Sequence, residues 1–512
     1  MSDSPQPHRA PLSRSPWLAA ALFLIWLIYY ASLLYPGLGG MLNAGDSAKF
    51  QTLGHTSILV HGPGYPFVLL MGTVVRALDL PFEPWRVMTI ALASIPGAVA
   101  VAMSFLIVGR LTGSVLFGVA ASFLLGSAGL MAVQATEAEV YPLALAFILS
   151  IVFALILFVE TKQTRYFVIA CAIYALSFGN HLMMVMLAPI GLLVMATHYR
   201  QLLRPRVLLA VVGLLAVGAS QYLYLAWVTH APTTAYSEYL PLPPTVSELR
   251  DYIAGTYFGD LYGSGLQSLQ TASVLFGTLS QAHPMVSVPL IAVGLLQFAI
   301  GWRHRDKAWA GIALVLGTAL AFLPFMIWYG AYDIQAFHLP VLGPLLIGAI
   351  AAIGWWTARW PRLFPWVGAL LLTVGVFRAG QMALYLDARE PDYADLVDTL
   401  HTVMAQAPVD EPVVSMSYGL RMATLYHELL GEVPQPAIYR VTWRTEEAIP
   451  DEGPVGGIVI PTDGEQMLRW IEHRNPDLSC RTVPIEQPDP VRWPAYGFVC
   501  DRQEASAGLP QD

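Results

Sequence analysis

Apolar residues gather along the chain into runs long enough to cross a lipid bilayer. A membrane core requires roughly 20 consecutive apolar residues per helix. The pattern therefore predicts eleven transmembrane helices, over residues 17–35, 86–108, 114–133, 141–159, 166–179, 182–198, 207–228, 285–302, 308–328, 340–358 and 363–384. The two short runs within residues 166–198 predict a tight hairpin. The fold class indicated is a polytopic all-α membrane protein.

Three segments of the chain allow further predictions. Residues 17–35 are longer than the apolar part of a usual signal peptide, so we interpret them as an uncleaved first helix. Residues 67–80 are apolar but too short to cross, which indicates a helix lying along the membrane surface. The long loop 229–284 is rich in Tyr and Pro at its start and has a helical pattern later.

Lysine and arginine are shared unequally between the two sets of loops. With a cytoplasmic N-terminus, thirteen of them fall on the cytoplasmic side and only Lys49, Arg76, Arg86 and Arg250 on the opposite side. Positive residues concentrate in the cytoplasmic loops of membrane proteins. The sequence therefore predicts a multi-pass protein of the bacterial inner membrane, with a cytoplasmic N-terminus and an extracytoplasmic C-terminus.

The C-terminal part of the chain has a different composition. Residues 387–512 contain 22 acidic and 9 basic residues, a net charge of −13, whereas residues 1–386 have a net charge of +5. The tail combines an amphipathic segment, ADLVDTLHTVMAQA, with the short β-like runs PVVSMS and GGIVIPT. We therefore predict a transmembrane domain over 1–386 and a small soluble α/β domain over 387–512.

Composition excludes several other classes of protein. Hydrophobic residues make up 56% of the chain and charged residues 12%, about half the charge of a soluble protein. The net charge of −8, without a basic stripe, excludes a nucleic-acid binder. Three cysteines exclude a disulfide scaffold. In an extracytoplasmic tail Cys480 and Cys500 could pair, whereas Cys171 lies in a predicted span and should stay reduced.

Ionisable residues at the rim of an apolar bundle are costly, which makes them candidates for function. Five clusters map to predicted outer loops. They are Asp46 with Lys49; His61 and Tyr65 in the turn HGPGYP; Glu137 and Glu139 with Tyr141; Asn180 with His181; and Asp333 with Tyr332, Gln335 and His338. Each has a structural alternative, because a loop carboxylate can cap a helix and a Gly-Pro turn can simply reverse the chain. Their location on one face favours a common site.

These segments resemble a known family. DSAKFQTLGHTSILVHGPGYPF is similar to its signature, in which an Asp precedes a Glu-Phe pair and a His-Pro-Pro-Gly-Tyr-Pro turn. EAEVYPLALAF and SFGNHLMMVMLAP fall where the family has Glu-x-Tyr and Gly-x-x-His segments, and YDIQAFHLP resembles its late Asp-containing loop. The chain thus resembles the protein O-mannosyltransferases, long described as a domain of unknown function, within the GT-C glycosyltransferases. Lys49 stands where that family usually has Glu, and Gly62 replaces the first Pro of the turn.

The resemblance implies a GT-C-like fold and an inverting transfer of a sugar, mannose or another hexose, from a polyprenyl-phosphate carrier. The acceptor would be a hydroxyl of a protein, glycan or lipid. Asp46 would be the general base, assisted by Glu137 or Glu139. The implied substrate-binding residues are Lys49, His61, Tyr65, Tyr141, Asn180, His181 and Asp333, with Lys49 and the two histidines facing the leaving phosphate. No cofactor and no metal is predicted.

Two other functions are compatible with the sequence. A transporter or flippase for a lipid-linked or anionic solute would place charged residues deep within the spans, but spans two to eight carry few ionisable groups and no internal repeat. A non-catalytic membrane anchor would present the acidic tail as a binding module. Loss of sugar transfer on replacing Asp46 would distinguish the enzyme from both.

Overall fold

The chain folds into two compact units, each built from two separate stretches of sequence. In the computed structural model the first unit comprises Met1–Pro36 and Leu53–Glu390, and the second comprises Gly37–Thr52 and Pro391–Asp512. The residues that the structure describes are 15–228, 245–261, 265–304, 306–331, 333–408, 413–433, 455–460, 468–469, 471–473, 475–486 and 494–502.

Helices account for most of the described residues, as the apolar pattern predicts. In chain order they are α1 (Ser15–Ser32), α2 (Ala44–Thr52), α3 (Pro66–Leu78), α4 (Pro84–Thr89), α5 (Ile95–Thr112), α6 (Val115–Gly126), α7 (Gly129–Gln134), α8 (Tyr141–Thr161), α9 (Thr164–Ser177), α10 (Ala188–Thr197), α11 (Tyr199–Leu202), α12 (Pro205–Val228), α13 (Val246–Ala254), α14 (Gly265–Ala282), α15 (Ser287–Ile300), α16 (Lys307–Trp328), α17 (Leu339–Thr357), α18 (Phe364–Asp387), α19 (Leu396–Met404) and α20 (Tyr418–Leu429). A π-helical turn, Ile90–Ser94, joins α4 to α5, and 3-10 helices cover Leu182–Leu187, Thr256–Leu261, Gly301–His304 and Ile334–His338.

Each of the eleven predicted spans lies on helical residues, but not all are long enough to cross alone. Among the described residues, six helices have the length and apolar composition of a membrane span: Pro84–Thr112, Tyr141–Thr161, Pro205–Val228, Lys307–Trp328, Ile334–Thr357 and Phe364–Asp387. The apolar pair Gln267–Ala282 and Ser287–Arg303, bent by 100°, makes a seventh if counted as one span. Five further apolar helices are shorter, so the count of eleven spans stays a prediction.

Two of the short elements correspond to the predictions for the loops. Helix α3 has 13 residues, which gives a length of about 20 Å and is too short for a bilayer core of roughly 30 Å. Helix α13 begins with a capping box formed by Thr245 and Glu248, and it confirms the helical pattern late in the second loop. The Tyr- and Pro-rich start of that loop, residues 229–244, lies outside the described residues.

Burial divides the helices of the first unit into inner and outer ones. Helix α17 is buried along almost its whole length, whereas few residues of α12 and α18 are buried. Glycines let inner helices approach closely: at Gly294 of α15 an added Cβ would lie 2.6 Å from the Cβ of Ala349 in α17. Close packing through small residues is typical of helices that pack within a membrane.

The second unit contains the small C-terminal sheet that the tail pattern predicts. Its strands are β1 (Val413–Met416), β2 (Val455–Ile460), β3 (Leu478–Val483) and β4 (Tyr496–Arg502), in the order β1-β2-β4-β3. Strand β1 pairs parallel to β2, and the other two pairs are antiparallel. All six residues of β2 are buried, as expected for a strand covered on both faces. Helix α19 and strands β1 and β2 occur where the amphipathic and β-like runs predict them.

The second unit also contains a segment that composition assigned to the transmembrane domain. The predicted boundary at residues 386 and 387 lies close to Pro391, where the second unit resumes. Gly37–Thr52, however, folds with the C-terminal residues rather than with its sequence neighbours. Composition could not indicate this, because the segment is short and its partners are more than 300 residues away in the chain.

Cys480 and Cys500 form the disulfide that the sequence suggests. They are directly opposed on β3 and β4 and link the two antiparallel strands. Cys171, in α9, is a free thiol. Disulfides persist in oxidising compartments and are rare in the cytosol.

We predict that the number of reactive thiols will correspond to one disulfide and one free cysteine. Of the three cysteines, one should react with a maleimide–polyethylene glycol in the denatured protein before reduction, and all three after it. Replacing Cys171 with Ser should remove the adduct seen before reduction. Three adducts without a reductant, in cells denatured directly into the maleimide reagent, would contradict the disulfide in the cell.

Candidate functional site

Asp46 and Lys49 form an ion pair on the short helix α2. The Lys49 Nζ lies 2.6 Å from Asp46 Oδ1, and the two residues are three positions apart, so they share one face of the helix. The side chain of Lys49 is 0% exposed and that of Asp46 is 19% exposed. An ammonium group is stable in such a buried position only when it is paired and hydrogen-bonded. The pair therefore fixes one carboxylate oxygen of Asp46.

The local sequence explains why α2 begins where it does. Asn43 caps the helix, with its Oδ1 accepting a hydrogen bond of 3.1 Å from the backbone N–H of Asp46. The Gln51 side chain closes the segment on itself, since its Oε1 accepts from the N–H of Gly39 and its Nε2 donates to the carbonyl of Gly37. Asp46 thus lies on a capped helix whose last turn is hydrogen-bonded to the residues before the helix.

In the first unit, the turn HGPGYP places His61 against Tyr65. The hydroxyl of Tyr65 is 3.0 Å from His61 Nε2, and the N–H of Gly64 donates to the carbonyl of His61. The Gly62–Pro63 peptide is cis, and Tyr65 has a φ of 45° immediately before α3 begins at Pro66. A left-handed backbone at a bulky residue is uncommon and costs energy, and such residues cluster at functional sites.

Aromatic contacts join this turn to two of the other predicted clusters. The ring of His181 lies 5.6 Å from that of Tyr65 and 6.1 Å from that of Tyr141, measured between centroids. Phe337 contacts both Tyr141 and His181, with centroids 4.7 and 5.7 Å apart. Nδ1 of His181 accepts a hydrogen bond from the N–H of Met183, so the neutral ring carries its proton on Nε2. Tyr65, Tyr141 and His181 therefore form one cluster, as their location at one face predicts.

The loop that carries the two glutamates is buried and tied to its neighbours. Glu137 and Glu139 are 0% and 1% exposed. Asn180 Nδ2 donates to the carbonyl of Val140, which connects the Asn180-His181 turn to this loop. Gln134, just before the loop, donates to the carbonyl of Ala336 near the predicted Asp333 cluster.

Glu137 has a partner that the sequence did not reveal. Nη1 of Arg389, two residues beyond α18, lies 2.9 Å from Glu137 Oε1, and both side chains are buried. Arg389 also donates to the carbonyls of Leu33 and Leu386, and it packs over the ring of Tyr35. Burial lowers the pKa of the Arg389 guanidinium from its ordinary value, and the Glu137 carboxylate acts in the opposite direction. The only sequence signal for this pair was an arginine just past the last apolar run. Its partner could not be identified from the sequence, because Glu137 is 252 residues away.

The residues of the fifth predicted cluster differ in their burial and contacts. Asp333 is half-buried and precedes the 3-10 helix Ile334–His338, accepting through its backbone carbonyl from the N–H of Ala336. His338 is buried, and its Nδ1 lies 2.9 Å from the hydroxyl of Thr278. Gln335 is exposed, and Tyr332 lies outside the described residues.

The structure thus gathers the predicted residues into two sets. His61, Tyr65, Glu137, Glu139, Tyr141, Asn180, His181 and Asp333 belong to the first unit, and Asp46 and Lys49 belong to the second. Within the described part of the chain, no three His, Cys, Asp or Glu side chains are grouped so that they could hold a metal ion.

We predict that replacing Arg389 with Met will destabilise the protein strongly. Removing one partner of a buried ion pair typically costs about 3–5 kcal/mol, because the other charge is left buried and alone. Thermal unfolding in detergent should show a much lower midpoint for this variant. Arg250→Ala is the matched control, since its pair with Asp251 is 73% and 42% exposed and should contribute at most about 1 kcal/mol. Equal midpoints for the two variants would contradict the assignment.

Comparison with known proteins finds one family model that matches part of the chain. Residues 46–203 match the family model described as the protein O-mannosyl-transferase TMEM260 N-terminal domain. None of the curated proteins matches the chain. The crystal structure of the Archaeoglobus fulgidus oligosaccharyltransferase in the apo form aligns with 81% of this chain at 12% identity and a TM-score of 0.47. The oligosaccharyltransferase AglB of the same organism, in complex with an inhibitory peptide and a dolichol-phosphate, aligns with a TM-score of 0.45 at the same identity and coverage.

In both alignments this chain covers 64% of the archaeal chain. The family match spans all the candidate site residues except Asp333, and it confirms the resemblance drawn from the motifs. Residues 46–203 thus carry the sequence pattern of the N-terminal domain of a protein O-mannosyl-transferase family.

Proposed function

We propose that the protein is an inverting membrane glycosyltransferase of the GT-C type. It transfers a hexose, with mannose as the first candidate, from a polyprenyl-phosphate carrier to a hydroxyl of a protein, glycan or lipid. The observation that carries the proposal is the family match over residues 46–203, which spans the Asp46–Lys49 pair and the aromatic cluster with its histidines. The exposed apolar faces of α12 and α18 suit a protein whose donor is dissolved in the bilayer.

Asp46 is the proposed general base. The acceptor oxygen forms a bond to the anomeric carbon, and the bond from that carbon to the phosphate oxygen breaks with its electron pair going to the lipid phosphate. The acceptor proton passes to a carboxylate oxygen of Asp46. A direct displacement of this kind inverts the anomeric configuration, so it needs a base but no carboxylate nucleophile.

Lys49 has a positioning role in this proposal instead of the predicted contact to phosphate, because its ammonium group is buried and pairs with Asp46. Its ammonium group holds Asp46 Oδ1 at 2.6 Å, which limits the rotation of the carboxylate. A base held in one orientation loses less entropy when the acceptor hydroxyl arrives. A lysine at this position of the motif is therefore compatible with an active enzyme.

The histidines of the first unit are the proposed contacts to the leaving phosphate. His181 can offer its Nε2–H, because its Nδ1 accepts from the backbone of Met183. His61 is oriented by the hydroxyl of Tyr65 through its Nε2. Tyr65, Tyr141, Asn180 and Asp333 stay proposed substrate-binding residues, and hydrogen bonds to a charged phosphate would contribute more than neutral ones.

The two glutamates receive different roles. Oε1 of Glu137 is held by Arg389, which favours a structural function for this residue. Glu139 is the better candidate for orienting the acceptor hydroxyl, although it too is almost fully buried. We further propose a bacterial inner membrane location with the C-terminal unit outside, which the unequal distribution of Lys and Arg and the Cys480–Cys500 disulfide support.

We predict that Asp46→Asn will abolish transfer while the donor still binds. Loss of a general base typically lowers the rate by about a hundred- to ten-thousandfold. The assay is the single-turnover transfer rate in reconstituted vesicles, together with donor affinity. Asp79→Asn is the matched control, because Asp79 lies in the same predicted outer loop at the end of α3. A near-normal rate for Asp46→Asn would assign the base to another residue, and a transporter would keep its solute flux in this variant.

We predict that His61→Ala and His181→Ala each weaken donor binding about ten- to a hundredfold. The reason is the loss of a charge-assisted hydrogen bond, which contributes about 1.5–3 kcal/mol. Binding of a labelled polyprenyl-phosphate hexose measures this effect. His401→Ala, at an exposed position of α19, should bind as the wild type does. Unchanged affinity in both variants would place the phosphate site elsewhere.

A further inference from the structure

The helix that carries Asp46 is built into the C-terminal unit. Gly37–Thr52 folds with the residues after Pro391, and α2 packs against α20. The two stretches also meet where each begins: a Cβ atom added to Gly37 would lie 3.3 Å from the Cβ of Pro391. A short polar helix such as α2 is not stable alone, so its position depends on this packing.

Helices α2 and α20 approach each other closely at the first turn of each helix. At Gly419, the second residue of α20, an added Cβ would lie 3.4 Å from the backbone nitrogen of Gly45 and 3.5 Å from the Cβ of Ala44. Asp46 is the next residue along α2. The backbone turn that carries Asp46 is therefore supported by α20.

Tyr393 fills the space around the contact. Its ring edge would lie 2.8 Å from a Cβ added to Gly39, and its hydroxyl would clash with a Cβ added to Gly419. Gly39 has a φ of 87°, which other residues rarely adopt. The ring thus occupies the space left by the absent side chains of two glycines, one in each stretch of the unit.

Helix α20 is stabilised by a side-chain cap and by an ion pair within the helix. Ser417 caps it by accepting from the N–H of Leu420, and it directly follows strand β1. Nη1 of Arg421 donates to both carboxylate oxygens of Glu428, at 3.2 and 3.1 Å, and both side chains are buried. One guanidinium nitrogen thus pairs with the whole carboxylate group inside the helix, in a charge-assisted contact that is stronger than a neutral hydrogen bond.

We propose that the C-terminal unit sets the position of Asp46, with Gly419 and Tyr393 as positioning residues. This inference rests on the proposed function, because it assumes that Asp46 is the base. The soluble tail is on this account a part of the catalytic apparatus rather than an appended binding module. A base displaced by about 1 Å can cost up to about a hundredfold in rate.

A suppressor pair tests the role of the two residues. Gly419→Ala places a Cβ against the Tyr393 hydroxyl, and its next nearest neighbours are at ordinary contact distances. We expect kcat to fall about tenfold or more, with KM for the donor within about twofold. Tyr393→Phe removes the hydroxyl and keeps the ring, and the double variant should recover to the activity of Tyr393→Phe alone. The proposal would be overturned if the double variant did not recover. It would also be overturned if the KM for the donor rose by as large a factor as kcat fell.

A cross-link tests the packing without relying on activity. The 3.5 Å between the Cβ positions of residues 44 and 419 suits a disulfide, for which Cβ atoms lie about 3.5–4.5 Å apart. In a Cys171→Ser/Tyr393→Phe background, where the clash at residue 419 is absent, oxidised Ala44→Cys/Gly419→Cys should therefore show no reactive thiol before reduction. Ala44→Cys/His427→Cys is the matched control, because residue 427 lies about 12 Å further along α20 and should leave both thiols reactive.

The two readouts distinguish the possible failures. The proposal predicts that the cross-linked protein transfers sugar as well as its reduced form does. A missing cross-link, or transfer that is lost on oxidation and restored by reduction, would overturn it. If instead the cross-link forms while Asp46→Asn leaves transfer unchanged, the proposed function of Asp46 fails, and α2 is positioned for another purpose.

Discussion

The buried ammonium group of Lys49 is the constraint on which the candidate site depends. A charge removed from water requires a partner at hydrogen-bond distance, and Asp46 supplies it at 2.6 Å. The pair forms because residues 46 and 49 lie on one helical turn. The Asn43 cap and the packing of α2 against α20 stabilise that turn. One electrostatic requirement thus links a helix cap, a packing contact and the orientation of the proposed base.

In the first unit, too, a buried charged side chain is paired with one of opposite charge. Glu137 lies in a buried loop between apolar helices, and the guanidinium of Arg389 satisfies one of its oxygens. The same guanidinium binds the carbonyl of Leu33 at the end of α1. The first and last apolar helices and the glutamate loop are therefore joined by a single side chain. The histidines and tyrosines next to this loop contact one another in an ordered cluster, where a ring nitrogen can be aimed at a substrate.

Local patterns predicted most of the elements, whereas contacts between distant residues could not be predicted. The long apolar runs predicted helical residues at all eleven spans, and the short β-like runs predicted strands at PVVSMS and GGIVIPT. The Asp-x-x-Lys spacing at residues 46–49 would have suggested an ion pair had the segment been recognised as helical. Its glycines and polar residues instead indicated a loop. Neither the Glu137–Arg389 pair nor the packing of Gly45 near Gly419 leaves a local signal, because each joins positions hundreds of residues apart.

The proposed reaction, transfer of a sugar from a lipid phosphate to a hydroxyl, can be measured with the purified protein in vesicles. The substrates are an isotopically labelled polyprenyl-phosphate mannose and a hydroxyl-bearing acceptor peptide. We expect free polyprenyl phosphate and a glycosylated acceptor in equal amounts, and the product should have the anomeric configuration opposite to that of the donor. A product that retains the donor configuration would contradict direct displacement. Movement of intact donor across the bilayer, without release of polyprenyl phosphate, would identify a transporter instead.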